Sequence, residues 1–394
     1  MTYPQGGRPS RRQLLQWAAG AAAAGLAAPM LNLGRYRLFA ASPREYSARC
    51  VDLVGGSLVI DMLCPLTINN ETQQRWGPDG AGFTAADFEE FRGSEIDVMH
   101  IATGIGGADA HEAYDNVMRF ISAHLALIAN RPDAFMRIDE AADFDRVREH
   151  ERIGVLIGLQ NSEHFRRPED VATFHALGQR VSQLTYNARN RIGNGSTERV
   201  DGGISDFGVA VIGKMNEVGM AVDVSHSGDR TTLDAFEISA QPVLITHSNC
   251  RALAPGHPRC KTDEAIRAVG RAGSVMGITG VRMFVKNDEP TTIEHLLDHF
   301  DHVRDLIGPE HLGVGSDIDL HGYDDLPAEQ NANLRASYKG SYGFRDKIDI
   351  EGVDHPQRMF DLTEGLIRRG YSDDDIRGIL GGNFRRVLTE IWSA

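Results

Sequence analysis

Eight short apolar runs, each followed by a longer segment of helical period, recur along the chain and leave it few folds to choose from. They lie near Ser57–Met62, Asp97–Ala102, Ile153–Leu159, Arg180–Thr185, Ala221–Ser225, Val243–Thr246, Ser274–Thr279 and Leu312–Ser316. The intervening segments read as surface helices. In one of them Ser205 is placed as an N-cap, Phe207, Val211, Met215 and Val218 recur at helical spacing, and Gly219 ends the turn. Eight such units over roughly 340 residues predict an α/β fold, a closed TIM-like (β/α)8 barrel, rather than an open doubly wound sheet. No glycine-rich nucleotide fingerprint supports the open sheet.

A barrel of this kind places its chemistry at the carboxyl ends of its strands. Within Met220–Cys250, one apolar run ends in His226-Ser227 and the next in His247-Ser248, with a helical segment between them. Parallel strands joined by a crossover helix have their carboxyl ends on one side of the sheet, so the two imidazoles are expected side by side. Neighbouring imidazoles suggest a shared metal; two separate core histidines are the plain alternative. The other strand ends supply Asp61 to Pro65, His100, Gln160-Asn161, Tyr186-Asn187 and Asp317. Asp317 is the most suggestive, because a carboxylate after a buried strand is costly unless a cation or donors meet it; capping the following loop is its other role. Arg259, in the loop after the sixth strand, reads as a clamp for a substrate carboxylate or as an exposed loop arginine. Tyr186 reads as a donor to a developing oxyanion or as a hydroxyl bonded to backbone. His100 reads as a replacement ligand or as a core histidine. Two long loops, Asn187–Gly203 and Asp319–Pro356, read as lids or insertions.

Composition narrows the partners. The 394 residues carry a net charge of −14, yet the first 41 hold five arginines and no acids, so the remainder stands at −19. So acidic a body argues against nucleic acid or an anionic membrane as partner. Ser10-Arg11-Arg12-Gln13-Leu14-Leu15 precedes an alanine-rich, weakly hydrophobic run, which is the pattern of a twin-arginine export signal. Residues 1–41 are therefore read as signal and linker and residues 42–394 as one barrel domain. The expected partner is the twin-arginine translocation machinery, and the expected location is the periplasm or the exterior. No stable membrane anchor is expected after cleavage; a homodimer stays open. The four cysteines show no CxxC spacing, so neither a zinc knot nor a disulfide framework is indicated, although a single pair such as Cys250 and Cys260 stays open.

Taken together, Gly158-Leu-Gln-Asn161, Leu184-Thr-Tyr-Asn187, Val222-Asp-Val-Ser-His226, Thr246-His-Ser-Asn249, Pro258-Arg259, Gly315-Ser-Asp317 and Gly381-Gly-Asn-Phe-Arg-Arg386 resemble the membrane (renal-type) dipeptidase family, peptidase family M19. The resemblance covers nearly all of the body. It implies a barrel of the metallo-dependent hydrolase type with two zinc ions that hydrolyses dipeptides, often tolerating a D-residue at the carboxyl end. On that basis His226 and His247 match the two histidine ligands of one zinc, Asp317 the acidic residue by the catalytic water, and Arg259 the arginine that holds the substrate carboxylate. Three positions depart from the family pattern. Leu63-Cys64-Pro65 stands where the family carries His-x-Asp, Gln160 where it carries the bridging glutamate, and Tyr186 where it carries a histidine facing the reacting carbonyl. Neither leucine nor proline ligates a metal through its side chain, so at most one zinc is expected, on His226 and His247, with Gln160, Asp317 or water completing the shell. The leading expectation is a dipeptidase-like hydrolase acting on a small dipeptide-like substrate. A metal-free tailoring enzyme and a non-catalytic small-peptide-binding protein on the same fold are the alternatives.

Overall fold

The computed structural model describes residues 44–77, 80–324 and 326–393, with Arg35, Tyr36 and Leu38. The arginine pair Arg11-Arg12 and the alanine-rich run lie outside the described residues. All eight expected strands are present, as β1 (Ile60–Asp61), β2 (Val98–Ile101), β3 (Ile153–Leu159), β4 (Gln179–Gln183), β5 (Ala221–Asp223), β6 (Val243–Ser248), β7 (Met276–Ile278) and β8 (Leu312–Val314). They pair in parallel and in sequence order from β1 to β8. Backbone bonds then cross the seam between the first and the last: Met62 N–H donates to Val314 O at 2.9 Å and Asp317 N–H to Leu63 O at 2.8 Å. The sheet thereby approaches full closure, as the alternation of strand and helix predicts.

Side chains on the strands separate into two apolar sets. Ile60, Met62, Val98, Leu156, Val181, Ala221, Leu244 and Val275 form one cluster, which Phe384, Val387, Leu388 and Ile391 of the C-terminal helix Asn383–Trp392 complete. Val155, Ile157, Val222, Ile245, Ile278 and Val314 belong to a larger cluster shared with the surrounding helices. Neighbouring residues such as Val155 and Leu156 fall in different clusters because successive side chains of a strand point to opposite faces. The helix Asp206–Val218 is capped as its sequence predicts: Ser205 Oγ accepts from Gly208 N, and Gly219 closes the helix at φ +75.

Two features differ from the sequence reading. The apolar run near Ser57 yields a regular strand of only two residues, Ile60–Asp61, and Ser57 instead caps the preceding helix Ala48–Gly56. A short strand, Phe135–Arg137, pairs in parallel with Ile153–Val155 outside the main order; three residues carry too little periodicity to be seen in sequence. All four cysteines are free and buried. Among the described residues, no helix is long and apolar enough to cross a membrane. The long loop after β8 contains the helix Ala328–Ala336 and a tight turn, Gly340–Tyr342.

Arg358 braces the seam from the loop side. Fully buried, it donates to Asp319 O at 2.6 Å, Ile318 O at 3.1 Å, Cys64 Sγ at 3.1 Å and Asp61 Oδ2 at 3.4 Å. Arg358→Ala removes the counter-charge of buried Asp61 and is expected to cost about 3 kcal/mol or more in urea unfolding; a loss within 0.5 kcal/mol, about the scatter of surface substitutions, would show that the seam does not depend on it.

Candidate active site

The carboxyl ends of β5 and β6 are joined by one buried carboxylate. Asp223 accepts from Ser225 N at 2.9 Å, Ser225 Oγ at 2.6 Å, Thr246 N at 3.1 Å and Thr246 Oγ1 at 2.7 Å. Ser225 Oγ in turn accepts from His247 N at 3.1 Å. A buried carboxylate is tolerable when donors surround it, and here they also set both strand ends. Gly315 completes the packing: a Cβ there would stand 2.0 Å from Thr246 O and 3.0 Å from His247 Cβ.

His226 and His247 meet on this platform, with their Nε2 atoms 3.0 Å apart. His226 Nδ1 lies 2.8 Å from Asn187 Oδ1, and His247 Nδ1 lies 2.8 Å from Thr246 Oγ1. The Thr246 hydroxyl donates its own proton to Asp223. Both Nδ1 partners are therefore acceptors, each imidazole carries its proton on Nδ1, and the two Nε2 lone pairs face each other. Burial first, and then the charge of Arg259, hold both imidazoles well below the ordinary 6.5. Neutral imidazoles with Nδ1–H groups fixed by outer partners are the form that ligates a metal. Two nitrogen donors could hold one ion at most. Leu63 and Pro65 line the adjoining cavity with carbon. Among the described residues, no group of three or more His, Cys, Asp or Glu side chains is placed to hold a metal.

The cavity, of about 600 Å³, opens above this pair, and Gln160, Tyr186 and Asp317 line it. The histidines do not reach its surface. Tyr186 stacks on His226, ring centroids 4.4 Å apart, and its hydroxyl lies 2.5 Å from that of Tyr338. Burial, with the neighbouring Tyr338 adding to it, keeps the Tyr186 hydroxyl protonated. Gln160 Nε2 donates to Ala102 O at 3.2 Å. Asp317 sits in the left-handed region at φ +59, a conformation that aspartate tolerates better than most residues. Among the described residues none hydrogen-bonds its carboxyl group. Burial raises that group to about 7, with Arg259 opposing the shift and Asp61 adding to it.

Arg259 is placed elsewhere than expected, and His100 takes the core position that was its other reading. Arg259 does not line the cavity. It is buried beneath it, where Nη1 donates to Ser225 O and to Ser248 Oγ (3.1 Å) and Nη2 donates to His247 O at 2.7 Å. Three acceptors thus occupy the terminal nitrogens expected to meet a substrate carboxylate. His100 is fully buried, with Nδ1 2.6 Å from Met62 O and Nε2 against Gly158, where a Cβ would stand 1.9 Å away. It packs the barrel interior, and Gly158 is what makes room for it. The sequence reading also passed over three residues. Asp223 was visible as a carboxylate inside an apolar run. Lys261 donates to Val224 O, Ser227 O and Thr232 Oγ1, and burial lowers it to about 7. Neither Lys261 nor Tyr338 carries a local signal.

Comparison with known proteins agrees with this architecture. The family model for membrane dipeptidases, peptidase family M19, matches residues 48–332. The dipeptidase verJ of Clonostachys rogersoniana is 31% identical over 243 residues, which are 61% of this chain and 56% of that protein. The chain spans little more than half the length of curated relatives such as this one. The crystal structure of an amidohydrolase from Pseudomonas aeruginosa superposes with a TM-score of 0.73 at 26% identity, covering 88% of this chain and 99% of the other. That of the dipeptidase AC, a metallopeptidase of family M19, shares the fold with a TM-score of 0.69 at 19% identity, over 85% of this chain and 99% of its own.

The depressed imidazoles make the site acid-sensitive. Below the ordinary 6.5 the unfolded chain binds protons that the folded site refuses, so the stability is complete above that value and is lost as pH falls through it. In chelator-treated protein each imidazole is expected to steepen the acid limb below pH 6.5, by at most about 1.4 kcal/mol per pH unit. Urea unfolding of His226→Gln/His247→Gln tests this: the double variant should show a flatter acid limb, and an unchanged slope would contradict the assignment.

Proposed function

This chain belongs to the membrane dipeptidase family, peptidase family M19, and from that premise we propose that it is a hydrolase of small dipeptide-like amides that works with a single zinc ion. The observation that carries the reading is the pair of neutral imidazoles with facing Nε2 atoms 3.0 Å apart, under a cavity lined by a carboxyl group raised to about 7. His226 and His247 would hold the ion. When bound, it supplies Lewis acidity and brings the pKa of a water towards neutrality.

The remaining steps belong to the chain's own residues. Asp317, half ionised near neutral pH, takes a proton from the attacking water and returns it to the leaving amine. Tyr186, kept protonated by burial, donates to the developing oxyanion once its hydroxyl turns from Tyr338. Thr246 and Asn187 keep the imidazoles oriented, and Arg259 holds the backbone beneath them. Arg11-Arg12 and the alanine-rich run support export of the chain by the twin-arginine route. Replacing both arginines by lysine should retain the protein in the cytoplasm, and fractionation reads the outcome.

A metal-free role for the same cavity is the second reading, favoured by the ring of Tyr186 lying over His226. Elemental analysis separates the two. The hydrolase reading expects about one equivalent of zinc per chain, lost together with turnover in His226→Ala; no metal after reloading would leave the second reading. For the general base, kcat/KM should rise with pH through about 7, because the carboxylate is the active form. Asp317→Asn should lower kcat by about a hundredfold or more and abolish that limb, and a limb that survived the substitution would assign the base to another group.

A further inference from the structure

We propose that the cavity selects small amides whose apolar or aromatic body ends in a neutral group, that any charge it accepts is an ammonium, and that it discriminates against free carboxylates. This deepens the hydrolase reading and rests on it for the reacting amide, while the charge preference rests on the cavity alone. Leu63, Pro65 and Leu66 form an apolar wall, and Tyr338, Tyr342 and Phe344 of the loop after β8 supply aromatic faces. These three rings pack on one another, with Tyr342 centred 4.5 Å from Tyr338 and 5.1 Å from Phe344. Asp317 and Asp319 also line the space, and among the described residues that do so there is no lysine or arginine. The imidazole at the wall, His124, is held neutral by burial and has Nδ1 2.9 Å from Phe120 O.

The buried cations beneath the cavity contribute their field, which Arg259 exerts on Asp317, but no free donor for a ligand. Lys261 has three oxygen partners, and both terminal nitrogens of Arg259 face acceptors of the chain. Arg259 Nε has no partner among the described residues, yet it is buried with the rest of the group, and Arg259 is not among the residues that line the cavity. A carboxylate entering this space loses water, meets no lysine or arginine on the wall to pair with directly and approaches two carboxyl groups. An ammonium entering it finds both as acceptors, and a carboxamide avoids the penalty altogether.

The test measures binding apart from turnover. The full chain, treated with chelator, is titrated calorimetrically with leucyl-phenylalaninamide and with leucyl-phenylalanine, and both are then assayed for hydrolysis after zinc loading. The amide is expected to bind about tenfold tighter than the acid or better. Equal binding, tighter binding of the acid, or no binding of either would overturn the proposal. Binding in the expected order without hydrolysis would defeat the hydrolase reading and leave the charge preference standing. Leu334→Lys, which puts a cation at the partly exposed rim of the cavity, should narrow the preference by about threefold or more. An unchanged preference in that folded variant would count against the charge argument.

Discussion

The site depends on the Asp223 carboxylate. Its four accepted hydrogen bonds join the ends of the two neighbouring strands that lead into His226 and His247. Ser225 passes the constraint to the backbone of His247, and Thr246 passes it to the ring, whose tautomer is set by the hydroxyl that Asp223 has already engaged. A carboxylate at this depth would be destabilising without its donors. With them it fixes two imidazoles more rigidly than loop residues of similar exposure could be fixed.

Closure of the barrel imposes the second constraint. The first and last strands meet through a few backbone bonds, and Arg358 lies behind them against Asp61, Cys64 and two carbonyls. That seam brings Leu63 and Asp317, far apart in sequence, to the same rim, where Asp317 N donates to Leu63 O. The neighbourhood of Asp317 is therefore apolar on one side. This is part of why its carboxyl group titrates near 7 rather than in the usual carboxylate range.

Charge is distributed unusually across the site. Below it lie Arg259 and Lys261, each bound to oxygens of the strand ends, and their charge adds to burial in keeping the imidazoles neutral. Above it the cavity is apolar, aromatic and acidic. The three departures from the family pattern act in one direction. Leu63 and Pro65 remove donors for a second ion, and Gln160 removes the charge that would bridge two. Tyr186 adds a ring that covers His226. A site of this kind keeps the scaffold of a metallopeptidase family while presenting a different surface to the ligand.

Much of this was legible in the chain itself. Strand and helix periodicity, the Ser205 cap, the αL Gly219, and histidines at two successive strand ends are local properties, fixed by residues a few positions apart, so a reading of the sequence reaches them. The substitutions at positions 63, 65, 160 and 186 were equally plain, because side-chain chemistry needs no coordinates. The tertiary structure alone decided that Arg259 turns inward to carbonyl oxygens, that Tyr186 lies over His226 with Tyr338 at its hydroxyl, and that the Asp317 carboxyl group stands on a cavity wall with no hydrogen-bond partner among the described residues. Each of these depends on which distant groups meet and on how much water is excluded when they do. Desolvation and long-range pairing leave no periodic trace in a sequence.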